Sequence, residues 1–180
     1  YKMKLLIAFF LITTATARVI PFNDTSDVIS CEYQPPLGTF NYLCDLTLIN
    51  PTGRDDFTRI EGQHAANLSD SDVISVLAMY QNSRNIPSII CRQFPNLLDL
   101  IVEVTEVEIV SADAFADCVN LQFVMLGLNR ISSIPDGLFR TNPNLQYIML
   151  NYNSIREIGA TAFSGTSAVN IDLSSNLLET

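Results

Sequence analysis

The sequence predicts an α/β fold: a right-handed solenoid with a concave parallel β-sheet, an irregular or short-helical convex side and a disulfide-tied N-terminal β cap. Leu121–Ile131 (LQFVMLGLNRI) recurs at Leu145–Ile155 (LQYIMLNYNSI), with Leu, Ile or Val at positions one, four, six and eleven and Asn at position nine. Three phenylalanines outside this pattern, Phe115, Phe139 and Phe163, share its spacing of 24 residues. Because such a period indicates turns that bury their apolar faces only by stacking, a solenoid follows.

Residues 1–17 are predicted to be a cleavable secretory signal. A basic start precedes the uninterrupted apolar run Leu5–Ile12, and small residues follow as far as Ala17. This order is typical of secreted proteins, with cleavage expected between Ala17 and Arg18 and with Met3 as the true start. The apolar run is well short of the ~20 residues that a membrane-spanning helix needs, which argues against an anchor.

The composition narrows the class of function. The net charge is −9, and 48% of the residues are hydrophobic, which is ample for a core. An acidic surface without a basic patch argues against nucleic acid or an anionic membrane as partner. The chain lacks the motifs of hydrolases, zinc proteases and phosphate-binding loops, so we expect no enzyme activity, cofactor or metal. The only histidine, His64, is expected to have a structural or surface role, because a catalytic base needs a nucleophile and an orienting partner.

Secretion makes disulfide bonds the expected state of the four cysteines. Cys31 and Cys44 flank a Pro-Pro-Leu-Gly turn between β-prone segments, so a hairpin would bring them together. Cys91 and Cys118 then remain for each other, with two separate buried thiols as the alternative.

Residues 18–72 do not follow the repeat and are predicted to form an N-terminal cap. A solenoid must cover its first strand and its core, and short β-prone runs between turns suit that task. Phe57–Glu61 alternates apolar and polar residues and is predicted to be the last cap strand. Ser69–Asp72 looks like a helix start, but the residues after it fit a strand better. Two sequons in polar, loop-like surroundings, Asn23 and Asn67, are predicted glycosylation sites.

The repeats are phased by counting 24 residues in both directions from Leu121. The predicted units are 73–96, 97–120, 121–144, 145–167 and a truncated 168–180. The last unit stops in mid-repeat, so we expect the natural sequence to continue beyond Thr180. Cys91 occupies the position of the three phenylalanines, and all four side chains are predicted to face inward near the convex side.

The ninth position of each unit is predicted to turn the chain out of its strand and to satisfy backbone groups with a side-chain amide. Asn129, Asn153 and Asn176 take this position in the last three units. Gln81 and Thr105 take it in the first two units, where we expect the role to be filled less well.

The positions between the inward-facing residues point outward on the concave sheet, because side chains alternate along a strand. Six of them are predicted to form one contiguous exposed patch: Phe123, Met125, Leu128, Tyr147, Met149 and Tyr152. Apolar patches with aromatic and methionine side chains mark protein-binding surfaces. The alternative is that a missing segment or a partner subunit covers the patch permanently, and a homodimer or a heterodimer is compatible with that.

From residue 73 onward the chain resembles the extracellular leucine-rich repeat family in its 24-residue form. The cap and the step at Ile90–Leu97 (ICRQFPNL) are similar to secreted insect leucine-rich repeat proteins, which include immune recognition proteins and relatives of Toll-type ectodomains. The resemblance implies a ladder of asparagines and the binding of an extracellular protein without catalysis. Two functions are expected on this basis. One is a secreted recognition protein of innate immunity, and the other is the N-terminal ectodomain part of a single-span receptor.

Overall fold

The structure is a computed structural model that describes residues 27–36 and 41–179. The predicted secretory signal, the Asn23 sequon, the start of the cap and part of the turn between the first two cysteines lie outside these residues. Within the described ranges, no helix is long and apolar enough to cross a membrane.

Short strands dominate the described residues, and helices are few. The strands are β1 (Val28–Gln34), β2 (Leu43–Thr47), β3 (Ile49–Asn50), β4 (Arg59–Glu61), β5 (Ser75–Met79), β6 (Asn82–Ser83), β7 (Asp99–Glu103), β8 (Phe123–Met125), β9 (Ser133–Ile134), β10 (Tyr147–Met149), β11 (Glu157–Ile158) and β12 (Asn170–Asp172). A 3-10 turn at Asp70–Asp72 precedes β5, and helix α1 spans Ile89–Gln93. The helix-like start predicted before the first repeat is therefore a single 3-10 turn followed by a strand.

One sheet runs through the molecule in the order β12-β10-β8-β7-β5-β2-β1-β4. The repeat strands pair in parallel and in register, so Ser75, Asp99, Phe123, Tyr147 and Asn170 lie side by side. The other side of each turn is irregular, with α1 and the small β9–β11 pair as its regular elements. The predicted solenoid with a parallel sheet on one side is confirmed.

The cap continues this sheet beyond the first repeat. Strands β1 and β2 form an antiparallel hairpin closed by the Cys31–Cys44 disulfide, whose Cα atoms are 5.6 Å apart. Strand β2 pairs in parallel with β5 and so joins the cap to the repeats. The predicted last cap strand is β4, shortened to Arg59–Glu61, and it lies beside β1 at the outer edge of the sheet.

The core is built from equivalent positions of successive turns. Leucine, isoleucine and valine at the repeated positions are completely buried, for example Leu121, Val124, Leu126 and Ile131. The three phenylalanines stack as a column, with 5.4 Å between the ring centroids of Phe115 and Phe139 and 6.0 Å between those of Phe139 and Phe163. Stacked rings at this spacing add to the stabilisation from burial.

Cys91 and Cys118 form a disulfide with their Cα atoms 4.8 Å apart, and both are buried. This confirms the predicted pairing and excludes two separate thiols. The bond joins the first two turns on the convex side, where the phenylalanine column joins the later ones.

The ninth position forms a ladder of hydrogen bonds between turns. Asn129 Nδ2 donates to the carbonyl of Val102 in the preceding turn at 2.7 Å, and its Oδ1 accepts from the Thr105 and Val107 amides. Thr105 supplies the donor half, from Oγ1 to the Ala78 carbonyl at 3.1 Å. Asn153 and Asn176 likewise donate to a carbonyl of the preceding turn, that of Leu126 or Leu150, and each accepts from one amide, that of Ile131 or Ile155. The ladder is therefore complete in the later turns and partial at Thr105.

Candidate functional site on the concave face

A second apolar cluster, distinct from the core, lies on the outward face of the sheet. We call it the concave cluster. Its buried members are Leu77, Ile101 and Phe123, and its partly buried members are Met79, Met125, Tyr147 and Met149. Each comes from a position that points away from the core in β5, β7, β8 or β10. The repeat thus places apolar side chains on both faces of the same strands.

Four of the six predicted patch residues belong to this cluster, but the prediction that all six are exposed is wrong for Phe123. Its side chain is only 6% exposed. Outward side chains on neighbouring strands stand about 4.8 Å apart, and Tyr147 packs beside Phe123 with 6.1 Å between ring centroids. Met125, Tyr147 and Met149 are half-buried. A partner would therefore contact these three and reach Phe123 only at its rim.

Leu128 and Tyr152 are not among the buried or half-buried residues of the concave cluster. They follow the strands and are 51% and 57% exposed. Tyr80, at the equivalent position, is 73% exposed. Together with Val104 these residues form what we call the edge row, along one margin of the concave cluster.

The edge row has an unusual backbone. Tyr80, Val104, Leu128 and Tyr152 have φ values of 56°, 52°, 55° and 54°, in the left-handed region that favours glycine or asparagine. A bulky residue there costs about 1–2 kcal/mol relative to glycine. Ser175 has the same conformation at the equivalent position of the last turn, with φ 57°, so the left-handed residue is part of the turn that follows each repeat strand.

Two acidic residues flank the concave cluster on β7. Asp99 and Glu103 are 8% and 7% exposed. Asp99 Oδ2 accepts a hydrogen bond from Ser75 Oγ at 3.0 Å, whereas its Oδ1 is buried without a donor. Burial raises the pKa of Asp99, and burial raises the pKa of Glu103 to about 7. On the cap side of the same face, burial and the charge of Glu32 raise the pKa of Asp45 to about 6.

Sequence reasoning did not single out Leu77, Met79, Ile101, Asp99 or Glu103 as site residues. The 24-residue register aligns Leu77, Ile101 and Asp99 with residues of the predicted patch, and Met79 and Glu103 with Gly127 and Asn151 beside it. The acids were overlooked because residue type alone does not show that a carboxylate on a sheet face is buried.

His64 lies in a hydrogen-bonded network of the cap. Its Nδ1 is 2.8 Å from Tyr42 Oη, its Nε2 is 3.1 Å from Asp70 Oδ1, and its ring stacks on Tyr33 at 3.8 Å. Tyr33 also donates to Asp70 Oδ1. Burial raises the pKa of both tyrosines, which keeps their hydroxyls protonated. The arrangement ties β1 and β2 to the segment before the first repeat, as expected of a structural histidine.

Two further predicted features have clear positions. Asn67 lies exposed on a turn with φ 65°, where a glycan could be attached. Among residues 27–36 and 41–179, no group of three or more His, Cys, Asp or Glu side chains could hold a metal ion.

Comparisons with known proteins agree with this architecture. Residues 119–178 match the family described as leucine rich repeat. The crystal structure of the APL1 leucine-rich repeat domain is 18% identical, with a TM-score of 0.65, and the match covers 84% of this chain and 37% of that one. A chain of the Toll–Spatzle complex of Drosophila is 21% identical, with a TM-score of 0.47, and the match covers 53% of this chain and 13% of that one. The sequence has no significant match among curated proteins.

This chain therefore spans well under half the length of either solved chain. The likeness to the APL1 domain shows a shared fold. Residues 119–178 thus match the leucine-rich repeat family, and the described residues as a whole have the fold of a leucine-rich repeat solenoid.

Proposed function

We propose that the protein is an extracellular recognition protein that binds a protein partner through its concave face. The observation that carries the proposal is the concave cluster, an apolar surface built on the solvent side of the sheet. Half-buried Met125, Tyr147 and Met149 supply the polarisable and aromatic surface that is enriched where proteins bind one another. The edge row adds exposed apolar side chains along one margin of this surface.

The extracellular setting is supported by two disulfide bonds, because such bonds persist in oxidising compartments. The predicted secretory signal and the exposed sequon at Asn67 point in the same direction. The resemblance of the sequence to secreted insect immune proteins makes innate immunity the first place to look for the partner.

An alternative is that these repeats form the N-terminal part of the ectodomain of a single-span receptor. The APL1 domain is much longer than the part of it that this chain matches, so the fold accommodates many more repeats. Sequencing the complete transcript tests the alternative, because a ~20-residue apolar span encoded downstream would identify a receptor. A stop codon without such a span would favour the secreted protein.

Capture from extracellular fluid tests the binding surface. The full-length secreted protein is immobilised, the retained protein is identified and purified, and its affinity is measured. We expect Tyr147→Ala combined with Met149→Ala to weaken binding at least tenfold, which corresponds to about 1.4 kcal/mol. Ile109→Ala is the matched control, because Ile109 is an apolar residue that is 48% exposed and lies outside the concave sheet. Equal affinities of the double variant and the wild type would contradict the proposal.

The edge row has its own test. Replacing Leu128 and Tyr152 by glycine removes exposed side chains and relieves two left-handed residues. We expect a melting temperature equal to or above that of the wild type, with at least tenfold weaker binding. Unchanged affinity would restrict the interface to the concave cluster.

A further inference from the structure

The seventh position of each repeat turn lies where the concave cluster meets the edge row. Met79, Glu103, Gly127 and Asn151 take this position in successive turns. Gly127 has no side chain, and the side chains of its two neighbours reach into the space over it. A Cβ atom added to Gly127 would lie 2.8 Å from Glu103 Oε1 and 3.0 Å from Asn151 Oδ1. Both acceptor oxygens thus lean over the glycine, and we call the space that they border the recess.

Glu103 is the decisive residue of the recess. It is 7% exposed, and no donor among the residues that the structure describes reaches its carboxylate. Burial of the residue removes part of the hydration of its carboxylate, and no hydrogen bond from the described residues replaces that part, which opposes folding. Burial accordingly raises the pKa of Glu103 to about 7. Glutamine or methionine would fill the same space without this penalty, so the core does not explain a carboxylate here.

The surrounding face is complementary to a cation. Among the side chains that point outward from β2, β5, β7, β8, β10 and β12, every charged one is acidic: Asp45, Asp99, Glu103 and Asp172. Arg59 lies on β4 at the far edge of the same sheet and pairs with Glu61. Arg84 and Arg130 pair with Glu108 and Glu106 beyond the strand ends. A positive group approaching the concave cluster therefore meets an attractive potential.

We propose that the recess binds a lysine ammonium of the protein partner, with Glu103 as its counter-ion and with the apolar neighbours of that lysine packed on the concave cluster. This inference rests on the proposed function and specifies the chemistry of the partner.

The shape of the recess favours lysine over arginine. An ammonium is compact, carries three donors and stands at the end of an unbranched apolar stem. It can approach from the solvent side and donate to both acceptors, Glu103 Oε1 and Asn151 Oδ1, at once. The planar guanidinium of arginine presents a wide fork, which suits the two oxygens of one open carboxylate better than two acceptors from different residues.

Peptide selection on the intact protein tests the inference before the natural partner is identified. A random peptide library is selected in parallel on the wild type, on Glu103→Gln and on Glu157→Gln. Glu157, on the exposed strand β11, is the matched control because it removes the same charge away from the concave face. We expect the wild type and Glu157→Gln to select peptides with a lysine beside apolar residues, and Glu103→Gln to select peptides without that lysine.

The affinity of one selected peptide for the wild type and for variants of the recess then shows whether its lysine binds there. We expect Glu103→Gln to weaken binding at least tenfold, and Gly127→Ala to do the same by filling the recess. The Cβ in Gly127→Ala displaces the ends of two flexible side chains and lies 3.3 Å from the Asn151 carbonyl oxygen, so the melting temperature of this variant is measured together with its affinity. Replacing the peptide lysine by norleucine should weaken binding to the wild type tenfold and binding to Glu103→Gln hardly at all, because the two changes remove one interaction.

The outcomes separate this inference from the proposed function. Peptides that need Tyr147 and Met149 but carry no lysine, or bind Glu103→Gln and the wild type equally, overturn the inference and leave the proposed function intact. If no selected peptide depends on the concave cluster, both fail.

Discussion

The early and late turns of the solenoid are linked to their neighbours by different bonds at equivalent positions. Between the first two turns, Cys118 is joined by a disulfide to Cys91. One turn later Asn142 takes the position of Cys118, and its Nδ2 donates to the carbonyls of Phe115 at 3.0 Å and Cys118 at 2.8 Å. In both cases a residue near the end of one turn is bonded to residues near the end of the preceding turn, by a disulfide or by hydrogen bonds. We call each of these links a fastening. The repeat therefore specifies where a fastening lies, and either a covalent bond or an amide can provide it.

The largest expected effect concerns the phenylalanine column, which packs the later turns against one another. Phe139→Ala opens a cavity between two stacked rings and is expected to lower the free energy of unfolding by about 3–5 kcal/mol. Thermal melts measure it, with Val119→Ala as the control because Val119 is 49% exposed. A loss no larger than that of the control would mean that the column does not hold the later turns together.

The two fastenings can be compared directly. Removing the disulfide with Cys91→Ala and Cys118→Ala is expected to lower the free energy of unfolding by about 3 kcal/mol, given the 27-residue separation. Asn142→Ala removes one hydrogen bond from each of two carbonyls that keep a backbone donor, and the two losses together are expected to lower it by about 1–3 kcal/mol. Denaturant unfolding of both variants gives the ranking. A greater loss from Asn142→Ala would reverse the comparison.

A smaller effect concerns the ladder at the ninth position. Asn129→Thr keeps a donor for the Val102 carbonyl but removes the acceptor for two backbone amides, so we expect a loss of about 1–3 kcal/mol. Thr105→Asn is the reciprocal change. It is expected to alter stability by less than about 1 kcal/mol, because the Ser83 amide already donates to the Thr105 carbonyl. Equal effects of the two changes in denaturant unfolding would mean that the two turns do not differ.

Much of this fold could be predicted because a repeat turns one-dimensional spacing into a three-dimensional position. The 24-residue register located the phenylalanine column. Secretion and the turn between Cys31 and Cys44 indicated the first disulfide, which left Cys91 and Cys118 for each other. The register also showed that Thr105 would serve the ladder less completely than Asn129, which the structure bears out.

The binding face could be predicted only in part, because it depends on how neighbouring side chains share space. Register placed Phe123 on the outward face, but packing against Tyr147 buries it. The recess depends on two side chains leaning over Gly127 from adjacent turns, and spacing along the chain does not determine that lean. The left-handed backbone of Leu128 was equally hidden, because leucine is not a residue that marks such a position.

Glu103 is central to this comparison of fold and binding face. We propose that its carboxylate binds a partner's lysine, while its burial lowers the stability of the fold. Its pH linkage tests this most directly. Burial raises the pKa of Glu103 from 4.5 to about 7 in the folded protein. Between those values the folded state keeps a proton that the unfolded chain releases, so this carboxyl makes stability fall as pH rises from 4.5 to 7. Above pH 7 the carboxyl is ionised in both states, and the loss of stability stays at its full value.

Thermal melts of the wild type and Glu103→Gln at pH 5 and pH 8 decide the matter, with Glu157→Gln as the control. Asp45 and Asp99 titrate in both proteins, so their contributions cancel in the difference. We expect Glu103→Gln to be more stable than the wild type at pH 8 by about 2 kcal/mol, and the gain to shrink at pH 5. A Glu103→Gln variant that is less stable than the wild type at pH 8 would show that the carboxylate supports the fold, and would contradict its assignment to a partner.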